Sequence, residues 1–237
     1  MTGFARVTTF IGAGGKTTSI KRLGKEINAT GQPVVLTTTT KVYPFDDCPA
    51  WQHEIIPPPL ELTTGFWYAR VEPQTGKWCG PVKEAVDKAI QAEANGRYWG
   101  IEGDGARCRR LKCWATYEPQ IPQATECVVL VIDGGLWGKV LEADEVHRPE
   151  MCPDLIKRVF DGATWLEYVL RSPVCFPAWT GLPWVIMLNR WVPGAPGSDL
   201  EVIEELIRVM HTRRDRLPAN LKVACGNVLT GKLVWGA

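Results

Sequence analysis

The sequence predicts an α/β fold: a three-layer, mostly parallel sheet flanked by helices, with an accessory flap. Three observations carry this. A strand pattern at Val7–Ile11 runs into a glycine turn and then an amphipathic helix. Strand-like and helix-like segments alternate along the chain, as a layered α/β domain requires. The run Glu126–Asp133 (ECVVLVID) is almost continuously apolar, which is the pattern of a central strand covered on both faces.

The elements follow in order. Val7 to Ile11 is a β-branched and aromatic run ending in glycines, a buried strand entering a turn. Ile20, Leu23, Gly24 and Ile27 recur at helical spacing, so Thr17 to Ala29 is a helix, closed by Gly31. Pro33 to Thr38 is the second strand, completing a right-handed βαβ unit. The proline-rich stretch Tyr43 to Leu62 lacks periodicity and reads as an irregular excursion, followed by a strand over Phe66–Glu72. Residues 40–80 are therefore expected to form the flap. Pro81 to Asn95 is a helix with Val82, Ala85, Val86, Ala89 and Ile90 on its apolar face, and Tyr98–Ile101 is a short strand. Pro183–Leu188 is another central strand. Ser198-Asp-Leu-Glu201 is a capping box opening a helix to about Thr212, with Leu200, Ile203, Ile207 and Met210 on one stripe. Leu221–Cys225 closes the sheet, and Val228–Trp235, broken at Thr230-Gly-Lys, reads as a terminal hairpin.

The bulk composition bounds the function. A chain of 237 residues suffices for one sizeable domain, here taken as 1–237 with 40–80 inserted. A net charge of +1 gives no reason to expect nucleic acid or an anionic membrane as partner, so any basic site is local. No apolar run approaches the ~18 residues of a membrane span. The opening MTGFARVTTFIGAGG is too short in apolar content for a secretory signal. A cytoplasmic protein is expected. Its 8 cysteines are scattered without a CxxC pair and are then expected to be reduced thiols. The 3 histidines stand far from Cys108 and Cys113, so no zinc site is expected, and the 11 tryptophans read as packing residues.

Chemistry enters at Gly12-Ala13-Gly14-Gly15-Lys16-Thr17-Thr18. A phosphate-binding loop needs glycines that turn N–H groups inward, a helix beginning there, a lysine for the terminal phosphates and a hydroxyl for Mg²⁺. All are present here, although the usual G-x-x-x-x-G-K-[ST] spacing would want glycine where Phe10 stands. The loop is two residues shorter than usual, as in the Mur ligases, and predicts a phosphate-loop NTPase-like domain binding ATP or GTP with Mg²⁺. Magnesium chemistry also wants a carboxylate at a neighbouring strand end. Asp104 in IEGDGAR and Asp133 in VVLVIDGG both qualify, although Asp-Gly is also a common turn dipeptide.

Five motifs occur in order: GAGGKTT, TTTTKVYP (Thr37–Pro44), EGDGARCRRLKCWATYEPQIP (Glu102–Pro122), EVHRPE (Glu145–Glu150) and LNRW (Leu188–Trp191). Together they resemble the YqeC family, described as selenium-dependent hydroxylase accessory proteins. The likeness covers about residues 7 to 210. It implies a phosphate-loop NTPase fold and a role in maturing molybdenum hydroxylases that carry a labile selenium cofactor. The expected partners are a nucleoside triphosphate, a selenium- or molybdenum-containing small molecule and a client hydroxylase.

Carried over by position, the resemblance gives Gly12–Thr18 to the triphosphate, Thr17 and Asp104 to the metal, and ranks Asp104 above Asp133. Thr40 and Lys41 would meet the γ-phosphate side. Arg107, Arg109, Arg110 and Lys112 form a cationic run that could receive an anionic substrate or simply face solvent. Arg107 and Lys112 match the family pattern, and Glu118 would orient the run. Arg148 is a candidate phosphate contact and His147 an acid–base or substrate residue, although Glu150 could instead pair with Arg148. Asn189 stands where guanine-reading proteins begin N-K-x-D, but the final Asp is Val192 here, so ATP is preferred to GTP.

The leading expectation is thus a Mg-dependent NTPase or phosphoryl-transfer enzyme. The alternatives are a nucleotide-gated chaperone for a client hydroxylase or its cofactor, and an ATP-dependent ligase.

Overall fold

In the computed structural model, residues 5–45, 48–93, 96–190 and 197–236 are described. Strand β1 (Val7–Gly12) leads through the glycine turn into α1 (Lys16–Ala29) and returns as β2 (Val34–Thr38). The next strands are short: β3 (Lys41–Val42), β4 (Ala50–Gln52), β5 (Thr64–Tyr68), β6 (Arg70–Val71) and β7 (Trp78–Cys79). Helix α2 (Lys83–Ala92) then leads to β8 (Tyr98–Glu102), β9 (Leu111–Lys112), β10 (Cys127–Asp133) and β11 (Val146–His147). The chain closes with α3 (Gly162–Arg171), β12 (Trp184–Asn189), α4 (Asp199–His211), β13 (Leu221–Asn227) and β14 (Lys232–Gly236).

Nine strands form one sheet in the order β14-β13-β12-β10-β1-β8-β2-β5-β4. Every neighbouring pair is parallel except β13 with β14. Side chains alternate between the two faces, as strand geometry demands. Val128, Leu130 and Ile132 of β10 join one apolar cluster with α3 and α4, while Cys127, Val129 and Val131 join another with Ile20 of α1. A third cluster packs α2 under Val7, Val35 and Ile101. Helices therefore cover both faces of a mostly parallel sheet.

Several expectations need correction. Residues 40–80 are only partly a flap. The buried run Gly65-Phe66-Trp67 pairs β5 with β2, and β4 adds beyond it, so this stretch extends the central sheet. Only β3, β7 and β6 form a separate antiparallel sheet. The turn at Thr230-Gly231 joins β13 to β14 instead of folding Val228–Trp235 on itself. In α4 the inward stripe is Val202, Ile203, Leu206 and Met210, with Leu200 turned to solvent. Val82 precedes α2 and is exposed, and the expected end of that helix at Asn95 lies outside the described residues. Helix α3 is absent from the sequence reading, although Asp161 caps it by accepting from Thr164 N at 2.9 Å.

The cysteines are not all reduced. Cys113 and Cys152 are joined by a disulfide, the only one among the described residues. The two stand 39 residues apart, and the parallel pairing of β9 with β11 brings their segments together, with Cys113 N donating to His147 O. Such a pair leaves no mark in sequence spacing. Among the described residues, no helix is long and apolar enough to cross a membrane.

Candidate functional site

Strand β1 lies where the winding reverses, with β8 on one side and β10 on the other. In open parallel sheets that reversal leaves a crevice at the carboxyl strand ends. The Gly12–Thr18 loop occupies it. Gly14 and Gly15 have φ of 87° and 122°, a region that side chains strain to reach. A Cβ on Gly14 would stand 2.4 Å from Asp133 N, and one on Gly15 would stand 2.4 Å from Asn189 Nδ2. The glycines thus let the loop lie directly on the ends of β10 and β12.

Helix α1 begins without a side-chain cap, and its first turn holds no acidic residue. Its leading N–H groups have no intrahelical acceptor, and the helix dipole adds partial positive charge at the same place. Both α3 and α4, by contrast, are capped by Asp161 and Ser198. Helix α2 also lacks a side-chain cap but carries Glu84 in its first turn, so α1 alone of these four starts has neither cap nor acidic side chain.

Lys16 turns back over the loop. Its Nζ donates to Gly12 O at 2.6 Å and lies 3.3 Å from Asp104 Oδ1 and 3.6 Å from Glu102 Oε1. Burial works against its ammonium, but the Asp104 and Glu102 carboxylates outweigh that and raise its pKa above the usual lysine value. Thr17 Oγ1 donates to Glu102 Oε2 at 2.9 Å. Burial raises the Glu102 pKa, against the stabilising Lys16 and Thr17.

Asp104 is enclosed by hydrogen-bond and charge partners. It has no solvent exposure, accepts from Gly12 N at 3.0 and 3.1 Å, and accepts from Trp114 Nε1 at 2.7 Å. With Lys16 on one side and Lys112 Nζ at 3.7 Å on the other, this carboxylate braces the loop from beneath. The acidic group that reaches the Thr17 hydroxyl is Glu102, the last residue of β8. Glu102 is not among the candidates expected from sequence. Its signal was present: an acidic residue ending a buried strand beside β1.

From Asp104 the ion pairs continue. Lys112, fully buried, donates to Glu118 Oε1 at 2.9 Å and to Gly105 O, while Glu118 Oε2 accepts from Arg148 Nε at 2.9 Å. Burial disfavours the Glu118 carboxylate, yet Lys112 and Arg148 hold its pKa below the usual range. Arg148 also donates to Tyr117 OH at 2.6 Å. A row of charges therefore runs from Lys16 to Arg148. Lys112 and Glu118 are members of it, which removes Lys112 from any exposed substrate surface. Arg148 pairs with Glu118 and not with Glu150. His147 is half-buried beside Lys112 and Arg148; burial first, then those cations, lower its pKa to about 4.

Three comparisons bear on this site. The YqeC protein family matches residues 8–150 of the chain. The chain belongs to the YqeC family. It is also similar to the uncharacterized protein YqeC of Escherichia coli (strain K12), at 32% identity over 158 residues, 63% of this chain and 60% of the relative. The chain thus spans less than two thirds of that relative's length. No solved structure matches.

The segment matched to the YqeC family holds the loop, Glu102, Asp104 and the whole charge row, while Asn189 lies beyond it. Asn189 makes two hydrogen bonds within the protein. Its Nδ2 donates to Gly14 O at 2.9 Å and its Oδ1 accepts from Val228 N at 3.2 Å, so it fastens the loop to the sheet. Trp191 and Val192, on which the guanine argument rested, lie outside the described residues. Lys41 is paired with Glu72 across the small sheet. Asp133 caps the turn after β10 by accepting from Gly135 N at 2.8 Å, and binds Arg110 Nε at 2.9 Å.

An open cleft of about 700 Å³ lies above the loop, lined by Gly14, Gly15, Thr18, Asp133 and Asn189. Among the described residues, no three His, Cys, Asp or Glu side chains converge on a metal position. The available pair is Thr17 and Glu102. A hydroxyl and one carboxylate suit Mg²⁺, which takes one or two protein oxygens beside phosphate oxygens and water.

Proposed function

We propose that this protein is a Mg-dependent nucleoside triphosphatase of the phosphate-loop type, acting on ATP or GTP. The observation that carries the reading is the contact of Thr17 with Glu102 beside a buried Lys16, at the uncapped start of α1. The N–H groups of Gly14 to Thr18 would hold phosphate oxygens along the loop. Lys16 would exchange its contact with Gly12 O for the terminal phosphates. Glu102 would hold the Thr17 hydroxyl and Mg²⁺, and Mg²⁺ bound there would neutralise charge on the phosphates. Asp133, at the end of β10 and lining the cleft, would order an attacking water, giving NDP and inorganic phosphate. Membership of the YqeC family supports a role for this turnover in maturing selenium-dependent molybdenum hydroxylases.

A second reading is a nucleotide-gated chaperone for a client hydroxylase or its cofactor. The row from Lys16 to Arg148 favours it, because the Lys16 contact that nucleotide would change is joined to the surface at Tyr117. Turnover raised by a small substrate supports the enzyme; turnover raised only by client protein supports the chaperone. Nucleotide titration of wild type, Lys16→Ala and Glu102→Gln tests both. Lys16→Ala should bind about 10–100-fold more weakly, as loss of a charged hydrogen bond implies. Glu102→Gln should keep Mg-free binding and lose the gain from Mg²⁺ together with hydrolysis. If Lys16→Ala binds as tightly as wild type, the proposal fails.

A further inference from the structure

A nucleotide on the loop would occupy one side of the cleft and leave the other lining residues without a task. Among these, Cys108, Arg109 and Arg110, from the segment before β9, and Lys139 after β10 form a wall. Contacts give the order across the cleft. Gly14 abuts Asp133 and Asp133 binds Arg110, while Arg109 and Cys108, the exposed chain neighbours of Arg110, line the same cleft.

The cations on this wall are not equivalent. Arg110 is matched by two carboxylates, Asp133 at 2.9 Å and Glu145 at 2.7 Å. The Arg109 side chain donates only to the Asp144 carbonyl, and the Lys139 ammonium has no hydrogen bond or ion pair among the described residues. Both side chains are exposed, as is the Cys108 thiol beside them. Arg107 and Cys108 hold positive φ of 48° and 59°, a conformation that costs free energy and persists only where the surroundings enforce it.

We propose that Arg109 and Lys139 form an anion subsite for a small oxyanionic second substrate, next to the terminal phosphate of the bound nucleotide. This rests on the nucleotide reading above. The Asp133–Arg110 pair stands between the two halves of the cleft, and a triphosphate extended across the Asp133 carboxylate would meet like charge. An anion approaching from the far side meets Arg109 and Lys139 first, and those charges offset its repulsion from the nucleotide. The acceptor in a phosphoryl transfer, or an anionic regulator of hydrolysis, needs such a counter-charge.

Cys108 reports on the subsite directly. Alkylation of Cys108, followed peptide by peptide, is compared for anionic iodoacetate and neutral iodoacetamide, with and without inorganic phosphate. The protein is held saturated with a non-hydrolysable triphosphate analogue and Mg²⁺. Phosphate should slow iodoacetate at Cys108 in the wild type. In Arg109→Ala/Lys139→Ala, whose fold is checked by circular dichroism, that protection should vanish and the iodoacetate preference should fall by about three-fold or more, as loss of two local charges implies. If phosphate never protects Cys108, or protects it equally in the variant, the subsite does not exist. If the analogue alone abolishes protection, the wall belongs to the nucleotide and the proposal is overturned. If the analogue fails to bind, the nucleotide reading falls separately; protection by phosphate in Lys16→Ala then still decides the subsite.

Discussion

Replacing Asp104 with Asn separates a bracing carboxylate from a metal-binding one. The change preserves side-chain size and removes a charge from between Lys16 and Lys112, at 3.3 and 3.7 Å. The carboxylate and Lys112 are 0% exposed and Lys16 is 5% exposed. Breaking a buried ion pair costs about 3–5 kcal/mol. Lys16 keeps Glu102 and Lys112 keeps Glu118, which places the loss near the low end, about 3 kcal/mol. The new amide also turns a donor towards Gly12 N or Trp114 Nε1, adding about 1 kcal/mol. The total, about 4 kcal/mol, is a large part of a stability of about 5–15 kcal/mol. Urea denaturation with an unchanged m value reads it, and the melting temperature should fall by about 8–16 °C. Glu102→Gln should cost less, since Gln can still accept from Thr17. An Asp104→Asn protein within about 1 kcal/mol of wild type, or less harmed than Glu102→Gln, would refute the bracing role.

Two further outcomes follow from the loop and from His147. Gly14→Ala forces positive φ on alanine and drives its Cβ against Asp133 backbone, so it should lose about 2–4 kcal/mol in denaturant, whereas Gly105→Ala, with nothing within 4 Å, should change by less than about 0.5 kcal/mol. His147, held to about 4, stays neutral in the fold while the unfolded chain takes up a proton below about pH 6.5. Its contribution to stability is therefore present above about pH 6.5 and is lost as pH falls towards 4. Melting curves at pH 7 and 4.5 should show His147→Gln less acid-sensitive than wild type.

The readable features were local ones. The glycine loop announces itself because turn, lysine and helix start are adjacent, and the Ser198–Glu201 box did so for the same reason. Glu102 and Asp104 could not be ranked, because their roles depend on Thr17, Gly12 and Trp114, brought together only by the sheet. Prolines around β4 hid an edge of the sheet whose pairing with β5 is decided by tertiary packing. The disulfide and the Glu118–Arg148 pair join segments 39 and 30 residues apart, beyond any periodicity.

The row from Lys16 to Arg148 has one more consequence. With Glu102 and Asp104 it holds three cations (Lys16, Lys112, Arg148) and three carboxylates (Glu102, Asp104, Glu118), so its formal charges cancel. A polyanion arriving at the loop gains little long-range pull from this interior. It must bring its own counter-ion or draw on the rim. Loading should then respond steeply to divalent cation and only weakly to monovalent salt.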